Sequence, residues 1–379
     1  MSQGSPDNTR VSCDDEVEGL QPIEVHPTSW DPDRVTITLN VRLDACFVPS
    51  RDGGLRLDMA HVVVLDNFLD EATRAGLMAA LSPPGCDPSM GPWPQLWERA
   101  TADSEKAPRT WGLRGDALEA LAASALPAKL EVQSRLQRLY PHCRIAHQPS
   151  HLMQATQQQG QGEGAAEASR TGASAPGSGG PPASSSVGGG PDSGADLEGG
   201  PQPAPGGGAG GSGGYDCSAL LANAATAGDT FTWHQDADPN TLPVDCPFVA
   251  THGLYTNREE GRPLFVSLLL YLDEAWERDW AADTLFLDCA SDTGLLVRPK
   301  KYRAVLMDQD VLHRLSPPSQ AAGRPRYSLV WKLVFTSRVP GASCCIARPE
   351  WGEPVAFGSA AKAVRAVKEL ARKRMRDAR

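Results

Sequence analysis

In Phe231-Thr-Trp-His-Gln-Asp-Ala-Asp-Pro239, one residue separates His234 from Asp236. Positions i and i+2 of an extended strand share a face, so this spacing aims one imidazole and one carboxylate the same way. A second imidazole arriving from a distant strand completes a two-histidine, one-carboxylate set. That set suits iron(II), which it grips on one side while leaving positions open for reactants. His313, 79 residues downstream and preceded by apolar Val311 and Leu312, is the candidate third ligand. Each residue also has an ordinary reading. A histidine near a strand end is commonly a hydrogen-bonded structural residue, and Asp236 with Asp238 and Pro239 can begin a turn. Asp238 shares the parity of His234 and is a rival carboxylate, read here as a loop residue or one that supports a ligand.

A second spaced pair follows the distal histidine. Arg326 and Ser328 stand two apart in Arg324-Pro-Arg-Tyr-Ser-Leu-Val-Trp-Lys-Leu-Val-Phe335 and so face the same way on a strand. A guanidinium fork with a neighbouring hydroxyl is a carboxylate-binding arrangement. Arg324 is its rival, but Pro325 places it before the regular strand. Three further runs read as strands between the two pairs. They are Pro263 to Asp273, an apolar run that reads as a buried strand, then Ala282 to Asp288, then Arg303 to Asp308.

Taken in order, these motifs resemble the iron(II)/2-oxoglutarate dioxygenases, and most closely the prolyl 4-hydroxylase-like branch. His234 and Asp236, Tyr271-Leu272-Asp273, Asp283-Thr284-Leu285-Phe286, His313 and Arg326 stand where that family has its own succession of motifs. His61-Val-Val-Val-Leu-Asp-Asn-Phe-Leu-Asp-Glu-Ala72 resembles the family's opening strand and first helix. Two departures stand out. Ala225 replaces a tyrosine common upstream of the first ligand, and arginine replaces the lysine usual in prolyl hydroxylases. The resemblance implies a mainly β fold with flanking α: a double-stranded β-helix (jelly roll, cupin-like) with helices packed on one side. It implies Fe(2+) on His234, Asp236 and His313, 2-oxoglutarate on Arg326 and Ser328, O2 as oxidant, and L-ascorbate as a reductant for the iron. The implied reaction oxidises a substrate C–H bond and releases succinate and carbon dioxide. A protein side chain of prolyl type is the implied target, with methylated nucleic-acid bases or a small metabolite as alternatives. A catalytically silent jelly roll used as a binding module is the alternative of another class.

Around these motifs the chain divides by composition. Residues 1–33 are polar and proline-bearing, so disorder is expected there. Residues 34–156 carry the first strands and supporting helices. Asp70 is the expected cap of a helix that Pro83-Pro84-Gly85 ends. Trp93, Trp97 and Trp111 lie among prolines in a loop-like stretch, where core or lid packing is the plain expectation. Residues 157–214 are dominated by Gly, Ser, Ala, Pro and Gln and cannot bury enough apolar surface to offset chain entropy. This segment reads as an insert within one domain, because strands are expected on both sides of it. Residues 215–340 hold the motif-bearing core, and 341–379 form an extension ending in a basic helix from Ser359 to Arg379. The loop 240–262 between the ligands carries Tyr255, Asn257 and Arg258, expected over the barrel mouth as substrate-contacting residues.

The net charge of −10 argues against nucleic-acid binding through the mean field, leaving the basic tail as the one local route to it. Nine scattered cysteines, an odd number with no Cys-x-x-Cys, read as reducing-compartment usage. Met1 to Leu20 lacks the apolar core of a secretory signal, and no run approaches a membrane span. An intracellular protein, cytoplasmic or nuclear, is expected.

Overall fold

Apolar runs with few helix signals between them become strands, and the chain is mainly β. The computed structural model describes residues 20–49, 55–99, 110–149, 220–229 and 231–358, so the expected insert at 157–214 and the basic helix at 359–379 lie outside it. The first half comprises β1 (Thr36–Pro49), β2 (Leu55–Asp66), α1 (Glu71–Ala80), β3 (Trp97–Arg99), β4 (Trp111–Leu113), α2 (Gly115–Ala123), α3 (Pro127–Leu139) and β5 (Cys143–His147). The second comprises β6 (Leu220–Ala225), α4 (Pro247–His252), β7 (Leu264–Tyr271), β8 (Thr284–Asp288) and β9 (Thr293–Val297). It ends with β10 (Ala304–Asp308), β11 (Leu312–Leu315), β12 (Arg326–Ser337) and β13 (Val355–Ala356). Among the described residues no helix is long and apolar enough to cross a membrane.

The larger sheet runs β13-β1-β2-β10-β7-β12-β6-β4-β3, and a smaller one runs β11-β8-β9. Every pairing is antiparallel except that of β1 with β13. One edge of β12 pairs β6 along its first half and β5 along its second, while β7 occupies the other edge. The two strands that flank the insert in sequence thus both attach to β12.

Period-2 alternation decides which layer each side chain joins. Val63 and Leu65 of β2, Leu268 and Leu270 of β7, Leu306 of β10 and Leu329 and Leu333 of β12 pack against Leu77 of α1 and Val132 and Leu136 of α3. The intervening residues Val62, Val64, Leu269, Tyr271, Val305 and Met307 turn the other way, onto Phe286 of β8 and Val297 of β9. Helices, large sheet and small sheet form three layers, compatible with a jelly roll carrying helices on one side. β7 is buried along all eight residues, which explains an apolar run interrupted only by Ser267. Each such leucine stabilises by roughly 1.5–3 kcal/mol on burial. The Asp70 carboxylate accepts from Thr73 N at 2.8 Å, capping α1 as its sequence signal predicts.

Disorder through residue 33 does not hold for residues 20–33. Leu20, Ile23 and Trp30 are buried, Ile23 N donates to Ile145 O at 3.0 Å, and the Trp30 ring meets Phe68 edge-on at 5.9 Å. Isolated apolar residues in a polar run carry no period, and their burial depends on surfaces supplied by α3 and β5. The stretch around the tryptophans likewise contains two three-residue strands, too short for any pattern to show. Trp97 is buried there, donating from Nε1 to Leu81 O at 2.9 Å.

Candidate metal centre

His234 and His313 meet through their backbones: each N–H donates to the other's carbonyl at 3.0 Å. Asp236 N donates to Gln309 O at 2.8 Å, and the Gln235 amide to Asp310 O at 2.6 Å. The ligand-bearing segment is thus zipped to the turn ahead of β11, and the two imidazoles lie side by side with ring centroids 4.4 Å apart. His234 Nδ1 lies 3.1 Å from Thr232 O, and His313 Nδ1 3.0 Å from Val311 O. A carbonyl only accepts, so each Nδ1 carries a proton, and Nε2 is the ring atom left to face a metal. Those Nε2 atoms stand 3.8 Å and 3.7 Å from Asp236 Oδ1, too far for hydrogen bonds. The three donor atoms lie within 4.8 Å of one another, which gives His234, Asp236 and His313 the geometry to hold one ion.

The other carboxylate oxygen is already committed. Asp236 Oδ2 accepts from Ser267 Oγ at 2.6 Å and from the Lys332 ammonium. Burial works against ionising Asp236, but Lys332, His313 and His234 outweigh it and hold the carboxyl well below its usual range. Burial lowers His313 to about 4, and His234 beside it adds to this, so the imidazole is neutral and ready to ligate. Burial also pushes the Lys332 ammonium down, while the Asp236 carboxylate favours its charged form; the pair is ionic. Sequence reading missed Lys332. The available signal was a lysine in the middle of Leu-Val-Trp-Lys-Leu-Val-Phe, on the strand face shared with Arg326 and Ser328.

Arg326, 2% exposed, donates from Nη1 to Ser328 Oγ at 2.9 Å and from Nη2 to Thr284 Oγ1 at 3.4 Å. Its guanidinium lies 4.8 Å over the Tyr271 ring, whose hydroxyl is 2.8 Å from Thr284 Oγ1. Arg326 Nε has no hydrogen-bond partner, and no carboxylate among the described residues lies within ion-pairing distance of the side chain. The nearby acids Asp273 and Asp283 sit instead 3.7 Å from Arg324 and 3.9 Å from Arg298. The rival Asp238 accepts from Asn240 N at 2.9 Å in a local turn, and burial raises it to about 6. It is not among the grouped donors.

Tyr255, Asn257 and Arg258 sit elsewhere than expected: Tyr255 packs into an apolar cluster, and Asn257 and Arg258 join a largely buried polar network through Asp310. Tyr255 is 3% exposed beside Phe248. Asn257 clamps Phe265, donating to its carbonyl at 3.0 Å and accepting from its N–H at 2.9 Å. The Arg258 guanidinium ties together Asp58, Asp308 and Asp310 and holds its own backbone at φ +71°. A loop of polar residues reads as surface until its long-range partners are known. Arg258→Met strands these acids without their cation and is expected to destabilise the fold by about 3–5 kcal/mol, read as a lowered urea midpoint with unchanged slope.

His61 belongs to the same network, its Nδ1 3.3 Å from Asp308 Oδ2. Burial disfavours the imidazolium, yet Asp308, with a smaller contribution from Cys345, raises His61 from its ordinary 6.5 to about 9. A raised folded-state value stabilises fully below about 6.5 and loses that stabilisation as pH climbs through about 9. Urea midpoints are therefore expected to fall across that window in the wild type, with a smaller fall in His61→Gln. Asp238 and Asp273, raised by burial to about 6 and about 7, titrate in both proteins and cancel in the comparison.

No family model matches the chain, and no curated protein matches it. Among solved structures, a Pseudomonas putida prolyl-4-hydroxylase aligns at 21% identity over 32% of this chain, with a TM-score of 0.21. A prolyl 4-hydroxylase from Phytophthora capsici aligns at 24% identity over 36% of this chain, also with a TM-score of 0.21. The alignments span 51% and 36% of those two proteins, and likeness at this level carries no argument. The chemistry of the site rests on its own geometry.

Proposed function

We propose that this chain is an iron(II)- and 2-oxoglutarate-dependent oxygenase on a double-stranded β-helix, oxidising a substrate C–H bond with release of succinate and carbon dioxide. The observation that carries the reading is the convergence of His234 Nε2, Asp236 Oδ1 and His313 Nε2, each ring tied at Nδ1. Two imidazoles and one carboxylate fit ferrous iron with coordination positions left open. Arg326 fits the distal carboxylate of 2-oxoglutarate, since it is a buried guanidinium fork short of an acceptor beside the Ser328 and Thr284 hydroxyls. Iron and 2-oxoglutarate, when bound, would supply the oxidising chemistry with O2 as the oxidant, one oxygen atom going to the substrate and the other to succinate.

The chain's own residues hold and shield that chemistry. Ser267 and Lys332 fix Asp236 so that Oδ1 alone faces the histidines. Tyr271, Thr284 and Ser328 orient Arg326, and Phe286 lies against the His313 ring at 6.1 Å, helping to exclude water. A protein side chain of prolyl type is the target class that the sequence resemblance implies. The test is aerobic incubation of the full chain with ferrous iron and 2-oxoglutarate, with succinate measured by mass spectrometry. Succinate above a protein-free iron control supports the oxygenase. Tight 2-oxoglutarate binding with no succinate, with or without candidate peptides, marks a binding module and rejects it.

A further inference from the structure

We infer that Cys143 and Cys344 form a covalent modification site, a dithiol that hydrogen peroxide closes into a disulfide clasp. Their sulfur atoms lie 3.1 Å apart, although 201 residues separate them in the chain. Both side chains are buried, Cys143 completely and Cys344 with 4% exposure. One residue, Tyr140 at the end of α3, holds both sides of the contact. Cys143 N donates to Tyr140 O at 3.1 Å, and the Tyr140 hydroxyl donates to Ile346 O at 2.8 Å, two residues beyond Cys344. The Cys143 carbonyl also accepts from Gln137 Nε2 at 2.9 Å and from Arg338 Nε at 3.2 Å. Sulfurs already in contact on a fixed backbone can bridge by side-chain movement alone. Cys345 is not the partner, because its Sγ faces the other way, 4.0 Å from His61 Nε2.

The same contact sorts the roles of the two thiols. The hydrogen bond from Cys143 holds the Cys344 thiol below its ordinary range against the opposing effect of burial. That bond and burial together push Cys143 up. Cys344 is therefore the sulfur that ionises, and the thiolate is the form that attacks. It is also the one with some exposure, open to an oxidant the size of water. The Cys344 thiolate attacks one peroxide oxygen and the O–O bond breaks. Hydroxide leaves and takes up the proton that Cys344 had released, which gives water and a sulfenic acid on Cys344. The Cys143 sulfur then attacks the Cys344 sulfur, the S–O bond breaks, and hydroxide departs with the Cys143 proton as a second water. Two thiols lose two electrons to one peroxide. The bridge joins β5 to the segment beyond β12 and closes a loop that contains β6 through β12, which restricts the unfolded chain.

The test takes the full chain, reduced and then freed of reductant, and exposes it to a small excess of hydrogen peroxide. Peptide mapping by mass spectrometry is expected to show the Cys143 peptide joined to the Cys344 peptide, with two hydrogens lost from the pair. The urea midpoint is expected to rise with the bridge and to return on adding dithiothreitol. Cys344→Ser is expected to lose both effects. Cys344 and Cys345 share a tryptic peptide, so the assignment is completed in Cys345→Ser, where both effects are expected to persist. The wild-type map decides even if a variant folds poorly. Cys143 and Cys344 left as thiols while half-exposed Cys86 or Cys289 is oxidised overturns the inference, and so does a sulfinic acid on Cys344 in place of the bridge. A bridge that persists in Cys344→Ser and vanishes in Cys345→Ser also overturns it. A Cys143–Cys344 bridge that leaves the midpoint unchanged overturns its role as a clasp.

Discussion

His313→Ala is expected to lower ferrous-ion affinity by at least about a hundredfold and to bring succinate formation to background. Outer-shell partners of metal ligands already contribute about 10–100-fold each, and a ligand contributes more. The substitution is clean for a structural reason. His313 is bridged to His234 through backbone N–H and carbonyl groups, which alanine retains. The strand pairing of β11 with β8 also runs through the backbone. What disappears is the imidazole, whose Nε2 faces Asp236 Oδ1 and whose neutral state is secured by burial. Two donors, His234 and Asp236, remain, one of them on a half-exposed side chain. Chelator competition with ferrous ion or cobalt gives the affinity, and mass spectrometry gives the succinate. A variant that keeps its metal to within tenfold would remove His313 from the ligand set and leave the centre without its third corner.

How far the sequence announces this centre depends on the range of the interaction. The His-x-Asp and Arg-x-Ser spacings are local, and strand parity alone tells that each pair shares a face. β7 is legible because burial along its whole length writes an apolar run that only Ser267 interrupts, whereas β12 mixes apolar residues with the buried Arg326, Ser328 and Lys332. The Asp70 cap is legible because its partner, Thr73, is three residues away. Lys332 stands out as a lysine in an apolar strand, but its role is not legible, because its partner Asp236 sits on a separate segment and reaches it only through the fold. Arg258 and Asn257 misled for the mirror reason: polar side chains in a loop read as displayed, but Asp58, Asp308, Asp310 and the Phe265 backbone enclose them. Trp30 and Ile23 fell within a segment whose average polarity conceals two apolar anchors. In each case a local pattern fixes orientation, whereas the partner across the gap is set by topology.

Arg326→Met is the complementary experiment, expected to weaken 2-oxoglutarate binding by about a hundredfold or more while leaving metal affinity nearly unchanged. Truncating one partner of a buried charge pair costs about 2–5 kcal/mol, which spans that range. Arg326→Lys is expected to recover little, because one ammonium cannot reproduce the fork held by Ser328 Oγ and Thr284 Oγ1. Stability supplies the deciding second readout. Without cosubstrate, Arg326 is a buried cation with an unpartnered Nε and, among the described residues, no carboxylate in ion-pairing range, a liability to the fold. Replacing it with methionine should leave the ligand-free protein at least as resistant to urea as the wild type. Weaker binding without weaker folding is the mark of a group kept for its ligand. Were Arg326→Met to unfold more readily while binding 2-oxoglutarate as before, the guanidinium would be a structural strut, and the carboxylate would have to be held elsewhere.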